Sequence, residues 1–233
     1  MDGAAAQKAL AAAGPVLCEW EARPILAAYG IGSKNAGELV TDADAAAAAA
    51  SKVSGPVALK VQSPDIAQKT EAGAVVLNLA SADAVRAAYE RVLGNALRHA
   101  PEARILGVLV QPMASPGREV ILGVKRDATF GPMLMVGLGG VQVEVFKDVA
   151  LGPLPLREDE ARDMLGRLKG APLLGVFRGQ PATDVDALVD VMVRLGQFAS
   201  DHAETIAEID LNPVLVHPQG KGVSVVDALI VKR

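Results

Sequence analysis

Two short stretches decide the fold of this chain: EIDLNP at residues 208–213 and VVDA at residues 225–228. Asp210 and Asn212 alternate along a segment of strand character, so both side chains point to the same face. The intervening PQGKG turn predicts a hairpin that brings Asp227 beside Asn212. Oxygen ligands of this kind suit Mg²⁺, which takes one or two protein carboxylates and completes its shell with phosphate and water. On spacing alone, an ordinary strand-end turn is equally compatible with Asn212 followed by proline.

Composition narrows the class of protein before any motif is considered. Half of the 233 residues are apolar (51%) and only 3% are aromatic, so alanine, valine and leucine must build the core. The formal charge of −4 argues against nucleic acid as the main partner, because phosphate backbones require a basic face. The single cysteine excludes an internal disulfide framework and fits a reducing compartment. No run resembles a membrane span or a signal peptide, and we therefore expect a cytoplasmic protein without a membrane partner.

The order of patterns along the chain predicts a mixed α+β fold with two lobes and a cleft between them. Helices and strands alternate in the first half, whereas closely spaced strands separated by Gly or Pro dominate from residue 105 onward. Such spacing favours antiparallel pairing over parallel crossovers. We expect an N-terminal extension at residues 1–17, an N-terminal lobe at 18–104 and a C-terminal lobe at 105–233.

Three local predictions follow from turn and cap signals. A helix near Cys18 should end at Gly30, a residue type that favours helix C-termini. A strand is predicted over residues 141–146. A helix over residues 185–202 should be opened by Thr183, which stands three residues before Asp186 in a capping-type spacing.

Lys60 and the segment from Gln111 to Met113 are candidates for nucleotide contacts. Lys60 closes an apolar strand, where a buried ammonium would need an anion such as phosphate. A strand-end lysine with its charged group in water is the alternative. A connecting strand at residues 111–113 offers a backbone N–H and C=O to a purine edge, with Met113 over the ring, although core packing explains the same pattern.

Further acidic and basic residues flank these candidates. Glu119 begins the next strand, and Glu144 and Asp148 follow near the candidate site. Arg178 comes after an apolar run, where it would clamp a phosphate or form a surface ion pair. The GLGG stretch at residues 137–140 lacks the context of a dinucleotide fingerprint and indicates close packing or a bulge.

Motifs from about Cys18 onward occur together and in one order. They are EWEA (19–22), YGI (29–31), VALK (57–60), SPDI (63–66), KTEAG (69–73), GVLVQPM (107–113), GRE (117–119), FGP (130–132), GLGG (137–140), VEV (143–145), RG (178–179), DLNP (210–213) and VDA (226–228). In this order they resemble the ATP-grasp domain of the NDP-forming acyl-CoA synthetases. That family includes ADP-forming acetate–CoA ligase and, more distantly, the β-subunit of succinyl-CoA synthetase.

The resemblance implies an ATP-grasp fold with ATP or ADP between the two lobes. It implies that Asn212 and Asp227 hold Mg²⁺, and that Lys60 and Asp210 act in catalysis. It extends the nucleotide-binding set to Lys60, Gln111, Pro112, Met113, Glu119, Glu144 and Arg178. The implied chemistry is reversible. In the direction of ligation, a phosphohistidine carries a phosphoryl group from ATP to a small carboxylic acid, and CoA then displaces phosphate from the acyl phosphate. In the reverse direction, phosphate displaces CoA from the acyl-CoA, and the phosphohistidine carries the phosphoryl group from the acyl phosphate to ADP.

One departure from the family pattern concerns Gln68. Relatives with this activity carry histidine there as a second phosphoryl relay, and an amide has no nucleophilic ring nitrogen. A CoA-binding fingerprint of the Rossmann type is also absent from the chain, so an α-type CoA-binding partner subunit is expected. Two alternatives stay open: an ATP-grasp carboxylate–amine ligase, and a degenerate nucleotide-binding module without turnover.

Overall fold

The computed structural model describes residues 2–32, 37–140 and 147–233, which divide into two compact units. The first unit comprises Met1–Leu17, Glu21–Ser33 and Ser115–Arg233. The second unit comprises Cys18–Trp20 and Lys34–Ala114. None of the helices in the described residues combines the length and apolar character needed to cross a membrane.

The described residues form six α-helices, one 3-10 helix and eleven strands. The α-helices are α1 (Gly3–Ala12), α2 (Glu19–Ala27), α3 (Ala43–Ser51), α4 (Ala82–His99), α5 (Glu158–Gly166) and α6 (Val185–Asp201), and the 3-10 helix is Ala171–Leu174. The strands are β1 (Val16–Leu17), β2 (Glu38–Val40), β3 (Val57–Gln62), β4 (Val75–Leu79), β5 (Gly107–Pro112), β6 (Arg118–Asp127), β7 (Gly131–Leu138), β8 (Val149–Pro153), β9 (Ile206–Val216), β10 (Val223–Val225) and β11 (Ala228–Lys232).

The first unit is built on a seven-stranded antiparallel sheet. Its strand order is β1-β11-β9-β6-β7-β8, with β10 paired to β9. One face carries the core, which it shares with apolar residues of α1, α2, α5 and α6. The alternation of side chains along β6 shows this division, because Val120, Leu122 and Val124 are buried whereas Glu119 and Lys125 are exposed. The opposite face presents Glu119 and Lys125 together with Ile121, which is also buried.

The second unit packs α3 and α4 against a four-stranded antiparallel sheet of order β2-β5-β3-β4. Asp42 caps α3 by accepting a hydrogen bond from the Ala45 N–H at 2.7 Å, which allows the alanine-rich run behind it to form a helix. Ser81 caps α4 in the same way, through the Ala84 N–H. Apolar residues at helical spacing then bury one side of α4 against the sheet. They are Val85, Ala88, Tyr89, Val92 and Ala96.

A buried aromatic cluster joins α2 to α6 within the first unit. The Tyr29 hydroxyl donates to the Asp201 carboxylate at 2.8 Å and lies 3.3 Å from His202 Nε2. The rings of Tyr29, Phe198 and His202 meet edge to face. Burial, together with the Asp201 carboxylate, raises the pKa of Tyr29 to about 12. Burial lowers the pKa of His202.

The antiparallel strands and the hairpin before Asp227 are confirmed by this topology. Gly30 also follows its helix as predicted, with a φ of 73° and a hydrogen bond from its N–H to the Ala27 carbonyl. The predicted cap Thr183 is wrong. Asp184 caps α6 instead, because its carboxylate accepts from the Ala187 N–H, whereas the Thr183 hydroxyl donates to the Leu174 carbonyl. The strand predicted at residues 141–146 lies outside the described residues.

The division into units differs from the predicted ranges in three places. Residues 1–17 belong to the first unit, because β1 pairs with β11 and the Lys232 ammonium donates to two carbonyls of the α1 region. Glu21–Ser33 also belongs to the first unit, because apolar residues of α2 pack into its core. Strand β5 belongs to the second unit, since it lies between β2 and β3 in that sheet. All three differences come from contacts between residues far apart in the sequence.

Candidate functional site

Asn212 on β9 lies opposite Asp227, which stands in the short link between β10 and β11 of the first unit. The Asn212 N–H donates to the Asp227 carbonyl at 3.3 Å, and the Val226 N–H donates to the Pro213 carbonyl at 3.0 Å. Side chains of directly opposed residues have Cβ atoms about 5 Å apart and share one face. The predicted proximity of Asn212 and Asp227 is therefore confirmed, whereas their role as metal ligands stays a prediction.

A β-bulge sets the face on which this pair lies. Strand β6 places one residue, Ile121, where β9 places Asn212 and Pro213, so the register shifts between the pairs Val120–Val214 and Leu122–Leu211. Leu211 and Val214 consequently both point into the core, although they are three residues apart. Asp210 stays on the same side as Asn212, opposite the core.

The outer face of this sheet is defined by Glu119, Asp210, Asn212 and Asp227. Gly123 pairs with Asp210 on β6 and adds no side chain there. Within the described residues, no three His, Cys, Asp or Glu side chains cluster as a metal site. Mg²⁺ needs only one or two protein ligands, so an amide oxygen with one or two carboxylates on one face fits this ion.

Glu119 is held against the end of β7 by close backbone approach. The Gly139 N–H donates to the Glu119 carbonyl at 2.7 Å. A Cβ at position 139 would lie 2.7 Å from the Glu119 Cβ, and one at position 140 would lie 3.3 Å from Glu119 Oε2. The GLGG stretch is thus explained by close packing, as the sequence indicated, and its two last glycines leave space for the Glu119 carboxylate.

Lys60 forms a buried ion pair with Glu19 inside the second unit. Lys60 Nζ lies 3.1 Å from Glu19 Oε2, and the two side chains are only 5% and 2% exposed. The alternative of an ammonium in water is therefore wrong for Lys60. A buried ammonium keeps its charge only if an anion compensates it, and in this structure the Glu19 carboxylate supplies that charge.

The segment that carries Glu19 is fixed to β3 by a second contact. The Trp20 N–H donates to the Gln62 side-chain carbonyl at 2.9 Å, and Gln62 is fully buried. Gln62 and Lys60 alternate along β3, so they support Trp20 and Glu19 from one strand. The position of the Lys60 ammonium therefore depends on residues 18–20 as well as on its own strand.

The segment from Gln111 to Met113 is only partly as predicted. Gln111 is buried on β5 and pairs with Ala58. The Met113 N–H is not available to a purine, because it donates to the Pro56 carbonyl at 3.0 Å. Pro112 has no N–H to offer. Neither Pro112 nor Met113 therefore supplies a backbone N–H to a base.

Arg178 lies in a tight turn of the first unit. Its guanidinium carbon is 5.7 Å from the centre of the Phe177 ring, an arrangement that allows a cation–π contact. Among the described residues Arg178 forms no ion pair, so the predicted surface pair is not observed. Asp148 has a structural role, since its carboxylate accepts from the N–H groups of Lys169 and Gly170. Glu144 lies outside the described residues.

Comparison with known proteins assigns the chain to a family. A model of the ATP-grasp domain matches residues 8–231. This chain belongs to the ATP-grasp family. The fold and the resemblance predicted from the sequence are thereby confirmed.

Relatives of this ATP-grasp chain include ligases that join an acid to coenzyme A. It is 39% identical over 227 residues to the β-subunit of ADP-forming acetate–CoA ligase II of Pyrococcus furiosus, covering 97% of this chain and 96% of that one. It is 42% identical over 203 residues to ADP-forming acetate–CoA ligase I of Archaeoglobus fulgidus, covering 87% of this chain but 29% of that longer protein.

A solved structure gives the same assignment for the fold. The ATP-grasp chain superposes with a TM-score of 0.91 and 39% identity on a dinucleotide-forming acetyl-coenzyme A synthetase 1 of Candidatus Korarchaeum cryptofilum. The match covers all of both chains, and that protein was solved in complex with coenzyme A, Ca-AMPCP and HgCl⁺.

Sequence reasoning missed two features of this ATP-grasp chain. Glu19 was quoted only as part of a shared motif, although it is the partner of Lys60. Its separation of 41 residues from Lys60 hides the pair from any local pattern. The role of Gly139 beside Glu119 was equally hidden, although a glycine pair at a strand end is a general signal of close approach.

Proposed function

We propose that this chain is the nucleotide-binding ATP-grasp subunit of an ADP-forming acid–CoA ligase. The observation that carries the proposal is the opposed pair Asn212 and Asp227 on the outer face of the sheet. It is supported by sequence similarity to an acetate–CoA ligase β-subunit over almost the full length of both chains. In this function the subunit exchanges a phosphoryl group between Mg-ADP or Mg-ATP and a phosphohistidine of a partner.

The first unit supplies the metal ligands in this proposal. Asn212 and Asp227 would hold Mg²⁺, and Asp210 would support that shell from the same strand face. A bound Mg²⁺ would supply positive charge against the negative charge that develops during phosphoryl transfer. Glu119 lies on the same face, and in this proposal its carboxylate would accept a hydrogen bond from a ribose hydroxyl.

The second unit supplies the cation. The Lys60 ammonium would neutralise phosphate charge, and Glu19 would hold the lysine in position while no nucleotide is bound. Because ammonium groups offer three donors, a phosphate oxygen can be bound while the contact to Glu19 is retained. Arg178 is the second candidate cation, proposed for phosphate, and Gln111 with its neighbours is proposed for the base.

The partner in this proposal is a CoA-binding α-type subunit, and the substrate is a small carboxylic acid. The ligase of Archaeoglobus fulgidus is more than three times as long as the region matched here, which leaves ample sequence for such a part in one chain. Since adenine nucleotides and coenzyme A are cellular cofactors, we expect the assembly to act in the cytoplasm.

Calorimetric titration of MgADP into the chain tests the nucleotide site. We expect saturable binding that requires Mg²⁺ and that weakens at least about tenfold in Asp227→Asn, because the metal loses a charged ligand. Asp163→Asn is the matched control, since Asp163 is an exposed residue of α5 and the charge change is identical. Equal affinity in both variants would contradict the proposed role of Asp227.

The presence of glutamine rather than histidine at position 68 favours a second candidate function, that of a module that binds nucleotide without turnover. Gln68 is exposed, and its backbone carbonyl accepts from the Ala72 N–H at 3.1 Å. A histidine fits this site without displacing buried groups. Nucleotide binding without acid- and CoA-dependent turnover in the wild-type assembly, with turnover gained by Gln68→His, would favour the degenerate module.

A further inference from the structure

Arg118 is unusual among the arginines of this protein. It begins β6 and is partly buried, and its Nε is fully shielded from solvent without a hydrogen-bond partner among the described residues. Other arginine side chains of the described chain bond to carboxylates. They include Arg86, Arg126, Arg157, Arg162, Arg194 and Arg233. A buried N–H of a charged group that lacks an acceptor is costly, so an acceptor is expected from outside the described chain.

Arg118 lines a cavity of about 320 Å³ in the first unit. Gln180 and Thr183 contribute the other polar side chains of its lining, and three prolines form much of the rest. The prolines are Pro116, Pro181 and Pro218. The volume is sufficient for a small ligand.

The walls of this cavity are fixed by backbone hydrogen bonds. Phe177 and Gln180 exchange two of them, at 2.9 and 3.2 Å, which closes a tight turn. Thr183 forms a bridge to Pro218, and the Gln219 N–H donates to the Ala182 carbonyl at 3.0 Å. Such a site is pre-organised, so little conformational entropy is lost when a ligand binds.

The cavity lies apart from the outer face. Successive residues of a strand point to opposite faces, so Arg118 points away from the side on which Glu119 lies. Arg118 also pairs with Val216, which is buried in the core. The nearby carboxylate of Asp184 does not line the cavity and is already bonded to the N–H groups of Ala187 and Gly222.

We propose that this cavity, the Arg118 cavity, is a binding site for a phosphate-type oxyanion. The guanidinium presents a planar fork of donors that matches two oxygens of a phosphate. The Gln180 amide adds a neutral donor. The Thr183 hydroxyl already donates to the Leu174 carbonyl at 2.8 Å, so towards a ligand it can only accept. Hydrogen phosphate carries the hydroxyl that this acceptor needs, whereas sulfate does not.

Titration of inorganic phosphate into the full chain, at constant ionic strength and followed by NMR, tests the proposal. We expect saturable shifts at Gln180 and Thr183, with weaker shifts for sulfate and acetate. Arg118→Gln should weaken phosphate binding at least about tenfold, the amount expected for a lost charged hydrogen bond. Arg91→Gln is the control, because Arg91 is exposed on α4. Unchanged phosphate affinity in Arg118→Gln would overturn the proposal.

Protection of the wild-type chain from an arginine reagent gives a second test that does not depend on a variant. Phosphate should slow the modification of Arg118 by phenylglyoxal, as read by peptide mass spectrometry, and should leave Arg91 unprotected. Equal protection of Arg118 by chloride, sulfate and phosphate would show charge screening alone and would refute a built site. Because the Arg118 cavity lies apart from the outer face, phosphate binding should survive Asp227→Asn, so this test is independent of the nucleotide proposal.

Discussion

The buried pair of Glu19 and Lys60 should dominate the stability of the second unit. At an effective dielectric constant of about 20, unit charges 3.1 Å apart attract by about 5 kcal/mol. Because the two side chains are 2% and 5% exposed, water screens this attraction little. Removal of one partner of a buried ion pair typically costs about 3–5 kcal/mol, and we expect Glu19→Gln to lower the free energy of unfolding by about this amount.

Urea unfolding followed by tryptophan fluorescence measures this change directly. Trp20 is the single tryptophan of the chain and directly follows Glu19. Its backbone N–H donates to Gln62 in the same unit. The paired change of Glu19→Gln with Lys60→Met should recover part of the loss, since removal of both charges ends the charge imbalance.

An exposed pair of the same unit provides the control. Lys52 and Glu38 are only 2.8 Å apart but are 65% and 52% exposed. Solvent screening should therefore limit the effect of Glu38→Gln to less than about 1 kcal/mol. The reasoning would be refuted if Glu19→Gln cost no more than Glu38→Gln, or if the double variant were as unstable as the two single losses combined.

Four further predictions concern the packing and the titration of the fold. Gly139→Ala should destabilise the first unit by about 1–3 kcal/mol in thermal unfolding, because the new Cβ would lie 2.7 Å from the Glu119 Cβ; full stability would show that β6 and β7 can separate. Gly94→Ala should stabilise the chain by about 1 kcal/mol, since Gly94 lies inside α4 with no atom within 4 Å of a new Cβ. Between pH 10 and about 12 the wild type should lose about 3 kcal/mol, because the folded pKa of Tyr29 is raised and the unfolded phenol ionises first; Tyr29→Phe should remove this alkaline loss. Below pH 6.5 stability should fall as well, because burial lowers the folded pKa of His202 and the unfolded imidazole takes up the proton first; a flat profile there would contradict the buried neutral ring.

Local signals in the sequence were sufficient for the features that depend on neighbours along the chain. The turn before Val223 determines the hairpin, and the hairpin determines that Asp227 faces Asn212. The N-cap of α6 could not be identified from the sequence, because Thr183 and Asp184 are both residue types that favour this position. The path of the backbone decides between them, since it brings the Asp184 carboxylate to the Ala187 N–H and the Thr183 hydroxyl to the Leu174 carbonyl.

Features that depend on distant residues were not predictable in this way. The partner of Lys60 lies 41 residues away, and the periodicity of β3 gives no information about which anion meets its ammonium. The Met113 N–H is likewise satisfied by a carbonyl of another strand connection, at Pro56. The Lys60 ammonium and the Met113 N–H both require a partner, as the sequence predicts, but the identity of that partner depends on the tertiary structure.

The pairing of β1 with β11 has a consequence for the order of folding during synthesis. Val16 and Leu17 pair with Val231 and Ile230, so the sheet of the first unit gains its outermost strand only after β11 has left the ribosome. The four strands of the second unit all lie between Glu38 and Pro112, and they can pair far earlier. Domains generally fold as units while synthesis proceeds. The nascent chain should therefore gain protease resistance first in the second unit, while β1 pairs only after β11 has been synthesised.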